Sequence, residues 1–319
     1  MTDWTMEERQ ALLGNKKTVA RDEIGKDEGS RRSLRALPSL TIKSDKVEDK
    51  KHVNLCGTHT VSKQAPPANV DWRDHGAVLP AKDQGTCGSC WTYGLTGTIE
   101  GQLALKHGKS ALVPLSQQNI MDCSWDWQNN ACDGGLDYMG ASWMLTNNNG
   151  SIATAGSYGG YLNQDGFCHY DLSRGSELSG EDRGVQEGAK IESCTHVTEA
   201  WNNVTTPLPT LTAAFRDAVA TVGPLSVSVD AGPNALPTAQ HDFYFYSSGL
   251  YYNPSCASGF DQLDHTVLAV GYEQVGEETY TIIRNSWSEH WGTEGGYIYV
   301  SQKDNNCGVM TQAMYATLA

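Results

Sequence analysis

The segment from Asp83 to Ile99 reads DQGTCGSCWTYGLTGTI and carries the strongest local pattern of the chain. After Cys90, apolar residues recur four apart and would stack on one face of a helix that Gly108 closes as a C-cap. These residues are Trp91, Leu95, Ile99 and Leu103. The pattern predicts an amphipathic helix with Cys90 in its first turn, where unpaired backbone N–H groups and the helix dipole stabilise a thiolate. We therefore expect Cys90 to be a reactive nucleophile.

A thiolate that attacks a carbonyl also needs a proton donor, a group that orients this donor, and hydrogen-bond donors for the oxyanion. His265 opens the apolar run HTVLAVGY, which predicts a strand with the histidine at its exposed end. Asn285 closes a second predicted strand, TYTIIRN, and Gln84 lies in the loop before Cys90. Taken singly, they are a structural histidine, a turn former and a loop amide. Together with Cys90 they indicate a catalytic site.

The pair Cys87 and Cys90 also forms a C-x-x-C motif, which is typical of dithiol redox sites and of half a zinc site. A thioredoxin-like domain would be much shorter than this chain, and no second C-x-x-C supplies further zinc ligands. The nucleophile interpretation is therefore favoured, and no metal or cofactor is expected.

The chain resembles the papain family of cysteine proteases from about Asn69 to its C-terminus. The sequence CGSCW around Cys90 is a local signature of that family, with His and Asn downstream. Several ordered blocks are far more specific than one motif. The other blocks are VDWRDHGAV at 70–78, LSQQNIMDC at 115–123, ACDGG at 131–135, VGPLSV at 222–227, DHTVLAVGY at 264–272, NSWSEHWGTEGGYIYV at 285–300 and NNCGV at 305–309.

The order of predicted elements indicates an α+β protein. Helices are predicted from Cys90, after the N-cap Ser116, and at 136–145 and 211–220. Strands then dominate, at 224–231, 265–272, 279–285 and 295–301. The resemblance implies the papain-like two-lobed fold, with a helical N-terminal lobe, an antiparallel strand-rich C-terminal lobe and the active site in the cleft between them.

The resemblance implies roles for the site residues. Cys90 would attack the peptide carbonyl, His265 would protonate the leaving amine, and Asn285 would orient His265 under the shield of Trp287. Gln84 would bind the oxyanion with the backbone N–H of Cys90. The residues implied in substrate binding are Gly134, Gly135, Leu136, Asp137, Ser228, Leu263, Asp264 and Gln312. Alternatively, the two glycines only make a turn.

The nine cysteines indicate an oxidising compartment. Spacing alone leaves about 105 pairings of the eight that remain after Cys90 is set aside. The resemblance implies three disulfides: Cys87–Cys132, Cys123–Cys168 and Cys256–Cys307. Cys56 and Cys194 depart from the family pattern, and they either pair, which would tie the leader to the body, or stay reduced. The sequons at Asn149 and Asn203 are consistent with a secretory route to a lysosome, a vacuole or the outside of the cell.

Charge divides the chain near residue 70. Residues 1–69 hold 13 Lys or Arg and 10 Asp or Glu, whereas residues 70–319 hold 10 Lys or Arg and 27 Asp or Glu. Such an acidic body argues against nucleic-acid binding, and no apolar run is long enough to span a membrane. A basic leader would be attracted to the acidic body, so acid is expected to help release it. Alternatively, the acidic surface only maintains solubility.

Two regions are predicted. Residues 1–69 form a partial prosegment and connector, with a capping box at Thr5 and Glu8 that resembles the last prosegment helix of the family. The longer helices that precede it in the family are expected to be missing. Residues 70–319 form the peptidase domain. His265 follows Cys90 by 175 residues, against about 130–150 in the family, which indicates an insertion at about 169–209. Its polar, Gly-rich sequence predicts a surface loop on the strand lobe.

The predicted function is a cysteine-type endopeptidase, a zymogen-derived thiol protease acting through a thioester. An acyl transferase or peptide ligase would use the same residues, and a non-catalytic homologue would have lost some of them. An exopeptidase remains open, because the insertion at 169–209 could block the cleft. The expected partners are peptide and protein substrates, the chain's own prosegment and protein inhibitors, and a monomer is expected.

Overall fold

The computed structural model describes residues 53–170, 184–202, 204–232 and 243–319. The capping box at Thr5 and Glu8 and most of the predicted connector lie outside the described residues. So does the sequon asparagine Asn203.

The structure describes five α-helices, four of them in the first half of the chain. They are α1 (Cys90–His107), α2 (Gln117–Cys123), α3 (Asp137–Asn147), α4 (Ala155–Tyr158) and α5 (Leu208–Thr221). Ser116 caps α2, as predicted, by accepting a hydrogen bond from the backbone N–H of Asn119. α1 begins at Cys90 and ends before Gly108 as the sequence predicts.

Ten strands of the described residues form one mixed sheet. They are β1 (Gly57–Thr58), β2 (Val70–Asp71), β3 (Ser151–Ala153), β4 (Glu187–His196), β5 (Leu225–Val229), β6 (Leu250–Tyr251), β7 (His265–Val275), β8 (Glu278–Arg284), β9 (Tyr297–Ser301) and β10 (Gln312–Leu318). The order across the sheet is β1-β4-β10-β5-β7-β8-β9-β6, with β2 on β7 and β3 on β4. Within the part of the chain that the structure describes, only β1 on β4 and β6 on β9 are parallel pairs. The predicted α+β class is confirmed.

Two apolar cores fill the two halves of the molecule. One contains Trp91, Leu95 and Ile99 of α1 with apolar residues of α2, α3 and β10. The other lies among α5, β5, β7, β8 and β9 and includes Phe215 and Trp287. The helical and strand-rich lobes predicted from the sequence therefore each have their own core.

The prediction that α1 is amphipathic is wrong, because residues 90–101 of this helix are all buried. Glycine at 94 and 97 allows strands of the sheet to approach the helix. A Cβ at Gly94 would lie 2.3 Å from Oγ of Ser226, and one at Gly97 would lie 2.8 Å from Leu268. α1 is thus the central helix of the molecule, covered on its far side by the sheet.

The prediction of a surface loop across 169–209 is wrong for much of its length. Residues 187–196 form β4, which pairs antiparallel with β10 and β3. Ala189, Ile191, Cys194 and His196 are buried. The strand was missed because its inward residues include a cysteine and a histidine, which obscured the apolar alternation of a strand. Residues 171–183 of the predicted loop lie outside the described part of the chain.

Four disulfides join the cysteines other than Cys90. Three have the partners that the resemblance implies: Cys87–Cys132, Cys123–Cys168 and Cys256–Cys307. The fourth joins Cys56 to Cys194. This bond answers the question left open by the sequence, and it crosslinks the chain before residue 70 to the body.

Candidate active site

Cys90 is the first residue of α1 and is buried. The turn that precedes it is held by a hydrogen bond from the backbone N–H of Ser89 to the carbonyl of Cys87. The disulfide between Cys87 and Cys132 fixes the same turn to the short helical segment at residues 131–133. The thiol therefore sits at the N-terminal end of a helix, where backbone N–H groups and the helix dipole favour its ionised form.

His265 begins β7, and Asn285 directly follows the last residue of β8. These two strands are antiparallel neighbours, so the start of β7 and the end of β8 lie side by side and bring the two site residues together. Nε2 of His265 donates to Oδ1 of Asn285 across 2.8 Å. Nδ1 of His265 is buried and makes no hydrogen bond to any described residue. The amide of Asn285 thus sets the ring orientation and leaves Nδ1 as the nitrogen available for proton transfer.

The thiol and the histidine belong to different lobes and meet through Thr266. The backbone N–H of Thr266 donates to Sγ of Cys90 across 3.3 Å. Since Thr266 is the neighbour of His265 along β7, this hydrogen bond brings the thiol to the start of the strand that carries the imidazole. The structure therefore brings together three residues that lie far apart in the sequence.

Burial governs the charge of His265. It lowers the pKa of His265 to about 4, and the hydrogen bond with Asn285 acts in the opposite direction. Desolvation disfavours a buried imidazolium unless an opposite charge lies beside it. A charged His265 at neutral pH therefore requires the thiolate of Cys90 as its counter-ion, so that the two charges form as a pair.

Trp287 covers the histidine. Its ring stacks on His265 with centroids 4.6 Å apart, and Tyr244 stacks on Trp287 at 5.2 Å. Trp287 is 2% exposed. Trp287 thus packs on His265, and its shielding of the hydrogen bond between His265 and Asn285 stays a prediction.

Gln84 is buried in the loop that leads to α1. Its side-chain Nε2 donates to the carbonyl of Cys87 at 2.9 Å, and its Oε1 accepts from Oγ of Ser286 at 2.6 Å. The backbone N–H of Gln84 also donates to the carbonyl of Ser286. Gln84 thus ties the loop before Cys90 to the residue after Asn285.

The two glycines that are predicted to bind substrate also have structural roles. Gly134 ends the short helical segment at 131–133 with φ at +106°, a backbone conformation that favours glycine. A Cβ at Gly135 would lie 2.6 Å from both Trp91 and Asn129. Gly134 thus takes part in a turn and Gly135 allows close packing against Trp91, while a role of the two glycines in substrate binding stays a prediction.

Asp137 and Gln312 meet beneath the site. Oδ1 of Asp137 accepts from Nε2 of Gln312 at 3.2 Å, and Oδ2 accepts from Oγ of Ser226 at 2.5 Å. Burial raises the pKa of Asp137, with these hydrogen bonds acting against the shift. Oε1 of Gln312 is buried without a hydrogen-bond partner among the described residues. A buried acceptor of this kind is costly unless a ligand supplies the donor.

The remaining predicted substrate residues have different surroundings. Ser228 pairs with Gln312 in the sheet and its hydroxyl lies 3.2 Å from that of Thr266, so it links Gln312 to the catalytic region. Leu136 and Leu263 are buried. Asp264 is held by another loop, because its Oδ1 accepts the backbone N–H of Ala231 at 2.9 Å.

Two supporting features were missed from the sequence. The hydroxyl of Tyr161 donates to the carbonyl of Gln84 at 2.7 Å and lies 2.7 Å from Oγ of Ser89. Glu100 of α1 accepts from Nζ of Lys82 at 2.6 Å, and Nη2 of Arg284 lies 4.0 Å from its carboxylate. A charged residue in the middle of an apolar helix was the available signal for Glu100, whereas nothing near Tyr161 in the sequence marked it.

Within the described ranges, no cluster of three or more His, Cys, Asp and Glu residues could hold a metal ion. Nor does any helix there combine the length and the apolar character needed to cross a membrane.

Comparison with known proteins identifies the family. The sequence profile described as papain family cysteine protease matches residues 66–317. A "Cathepsin L-like peptidase" of Aedes aegypti is 40% identical over 250 residues, which cover 78% of this chain and 63% of the relative. "Procathepsin L" of Rattus norvegicus is 38% identical over 253 residues, which cover 78% of this chain and 65% of the relative. The chain thus spans just under two thirds of the length of these relatives.

Solved structures agree with the sequence comparison. A digestive procathepsin L2 proteinase from the larval midgut of Tenebrio molitor aligns with a TM-score of 0.71 and 28% identity, covering 99% of this chain and 82% of that structure. The bromelain protease from Ananas comosus, solved with the E64 inhibitor, aligns with a TM-score of 0.61 and 29% identity, covering 79% and 100%. Together with the site geometry, these matches show that the chain belongs to the papain family of cysteine proteases.

Proposed function

We propose that this chain is a cysteine endopeptidase that hydrolyses peptide bonds through a thioester on Cys90. The observation that carries the proposal is the hydrogen bond from Thr266 to Sγ of Cys90, which sets a helix-terminal thiol beside His265. The orientation of His265 by Asn285 supports it. Nucleophile, proton carrier and orienting amide are the three groups that acyl transfer requires.

The reaction would proceed in two steps. In the first, the sulfur of Cys90 bonds to the peptide carbonyl carbon, and the C–N bond breaks as His265 gives its proton to the leaving amine. In the second, water adds to the thioester while His265 takes its proton, and the C–S bond breaks to release the acid. His265 thus returns to the state in which it began.

The oxyanion of each step would be held by the backbone N–H of Cys90 and the side-chain amide of Gln84. In a comparable serine enzyme, loss of one such donor costs about 2.7–4 kcal/mol of transition-state stabilisation. The bonds of Gln84 to Cys87 and Ser286 support this role, because they fix the amide before substrate arrives.

The pocket for the second residue before the cleaved bond would lie against Asp137, Ser228, Leu263 and Gln312. The paired, buried carboxyl of Asp137 offers little charge for a basic side chain, because burial raises its pKa. Oε1 of Gln312 is a buried hydrogen-bond acceptor without a partner among the described residues. We therefore expect this pocket to take apolar side chains and to favour those that add a neutral donor, such as tyrosine.

The cellular setting of the enzyme follows from the same features. Four disulfides require an oxidising compartment for their formation, so the expected location is the secretory route, ending in a lysosome, a vacuole or outside the cell. The expected partners are peptide and protein substrates, the chain's own leader and protein inhibitors. The enzyme is expected to act as a monomer.

Hydrolysis of a Phe-Arg fluorogenic peptide from pH 4 to 8 tests the proposal, with Cys90→Ala and an epoxide thiol-protease inhibitor as controls. We expect activity in the reduced, processed protein and none in either control. A folded protein that is inactive, and whose Cys90 is not alkylated by the epoxide, would contradict the proposal.

A further inference from the structure

The residues just before the peptidase domain are bound to it along their length. We call residues 53–62 the anchor segment. Cys56 forms a disulfide with Cys194 of β4, and β1 continues the sheet alongside β4 by pairing Gly57 with Thr195. The anchor segment therefore has both a covalent and a backbone connection to the body. The region predicted as an extended connector is an integral part of the sheet at this point.

Side chains extend this attachment on both sides of β1. Before it, the backbone N–H of Leu55 donates to Oγ of Ser142 on α3 at 3.0 Å. After it, Nε2 of His59 lies 2.9 Å from Oδ2 of Asp217 on α5, where the exposed fractions of the two side chains are 6% and 1%. Ser62 donates to the same carboxylate through its backbone N–H and its hydroxyl.

The anchor segment also covers an aromatic group of the body. His196 is buried between Trp201, whose ring lies 4.2 Å away, and Tyr138, at 5.0 Å. Asn54 donates to Nε2 of His196 across 2.9 Å. Removal of the anchor segment would break this hydrogen bond and expose the cluster of three rings. The burial of these rings therefore depends on the anchor segment.

The chain that follows is open to proteases. Residues 63–65 (Lys63, Gln64 and Ala65) are exposed and irregular. Beyond them the chain is attached again, because the carbonyl of Pro67 accepts from the hydroxyl of Tyr272 at 2.8 Å. Exposed, irregular chain with small and polar residues is a preferred site of proteolytic cutting.

We infer that cleavage in the linker at residues 63–65 does not release the anchor segment but produces a two-chain enzyme, in which Cys56–Cys194 holds the N-terminal peptide. Hydrolysis adds water across one peptide bond and leaves the disulfide intact. The retained peptide fills the edge of β4 and covers His196. This inference concerns maturation, and it does not rest on the catalytic activity proposed above.

Trypsin tests the inference independently of the chain's own activity. In the Cys90→Ala protein, and in Cys90→Ser as a second background, trypsin should cut after Lys63 in the exposed linker. Mass spectrometry under denaturing, non-reducing conditions should show a peptide that ends at Lys63 and contains Cys56 still joined to the body. Reduction should release it completely. The expected peptide, from cuts after Lys51 and Lys63, is HVNLCGTHTVSK.

Two variants serve as controls. Cys56→Ser should release the peptide under denaturing conditions without reduction, and Lys63→Gln should prevent its release even after reduction. Release of the peptide from the parent protein without reduction would overturn the inference. So would resistance of Lys63 to trypsin in the folded protein, because the linker would then not be the processing site.

Discussion

The backbone N–H of Thr266 lies 3.3 Å from Sγ of Cys90 and joins the start of α1 to the start of β7. This contact crosses from the helical lobe to the strand-rich lobe, and it is made by backbone rather than by a flexible side chain. The distance between thiol and imidazole is therefore set by the packing of α1 on the sheet. Close approach at Gly94 and Gly97 makes that packing possible.

The first prediction concerns the charge of His265. When Cys90→Ala removes the counter-ion, burial and the opposing hydrogen bond with Asn285 should govern the pKa of the imidazole, and it should titrate near pH 4. Because this pKa lies below its ordinary value, His265 should be neutral in the variant at pH 5 to 8 and gain a proton only as the pH falls towards 4. Nitrogen-15 NMR of the ring measures this directly. A ring that is still protonated at pH 6 in the variant would contradict the pairing of the two charges.

The second prediction concerns Asn285. Asn285→Ala removes the acceptor of Nε2 of His265 and leaves a buried donor unpaired, at a cost of about 1–3 kcal/mol. If the transition state loses this stabilisation relative to the free enzyme and substrate, kcat/KM should fall roughly 10- to 100-fold. We expect the loss in kcat rather than in KM, because the amide does not contact the substrate.

Asn285→Asp is the matched variant. It restores an acceptor and should recover part of the lost kcat. Its carboxylate favours the protonated imidazole, so it should also shift the alkaline limb of the pH profile upward. Equal kcat values for the Ala variant and the parent would show that Asn285 does not orient His265 for catalysis.

The third prediction concerns the buried oxygen of Gln312. If this acceptor binds a neutral donor on the substrate, the parent should cleave Tyr-Arg peptides in preference to Phe-Arg peptides. Gln312→Ala should reduce that preference by roughly 3- to 10-fold, as expected for one hydrogen bond of about 0.5–1.5 kcal/mol. Leu263→Val is a useful control, because it changes the size of the pocket but not its hydrogen bonds. An unchanged ratio in Gln312→Ala would exclude this contact.

The sequence could group Cys90, His265 and Asn285, which the structure brings together, because their signals are local; their catalytic roles stay predictions. Cys90 is the last residue of a C-x-x-C motif and opens a helix, and His265 and Asn285 stand at strand ends beside apolar runs. Tyr161 could not be predicted, because its role depends on a fold that brings it to Gln84 and Ser89. The lengths of the elements were predicted less well, since the apolar pattern does not mark where hydrogen bonding stops.

β4 and the anchor segment were missed for a related reason. Their stability comes from partners far away in the sequence, with Cys194 joined to Cys56 and His196 stacked on Trp201. From sequence alone, a polar or sulfur-containing residue suggests an exposed position, because the distant partner that allows its burial is not known. Family resemblance could not help either, because this disulfide lies outside the family pattern on which the other three were predicted.

The last prediction concerns Glu100, the acidic residue buried within α1. It pairs with Lys82 at 2.6 Å, accepts from the backbone N–H of Leu115 at 3.0 Å and faces Arg284. Breaking a buried ion pair by removing one partner typically costs about 3–5 kcal/mol of unfolding free energy. Glu100→Gln should therefore destabilise the protein strongly, because two cations lose their counter-charge in a buried setting.

Denaturant unfolding with disulfides intact measures this effect, and Glu278→Gln provides the matched control. Glu278 pairs with Lys303 at 3.8 Å, but 40% and 55% of these two side chains are exposed, so that substitution should cost less than about 1 kcal/mol. Similar losses for the two variants would mean that solvent reaches Glu100. Because Lys82 lies two residues before Gln84 and Arg284 directly precedes Asn285, we also expect Glu100→Gln to reduce kcat, whereas Glu278→Gln should not.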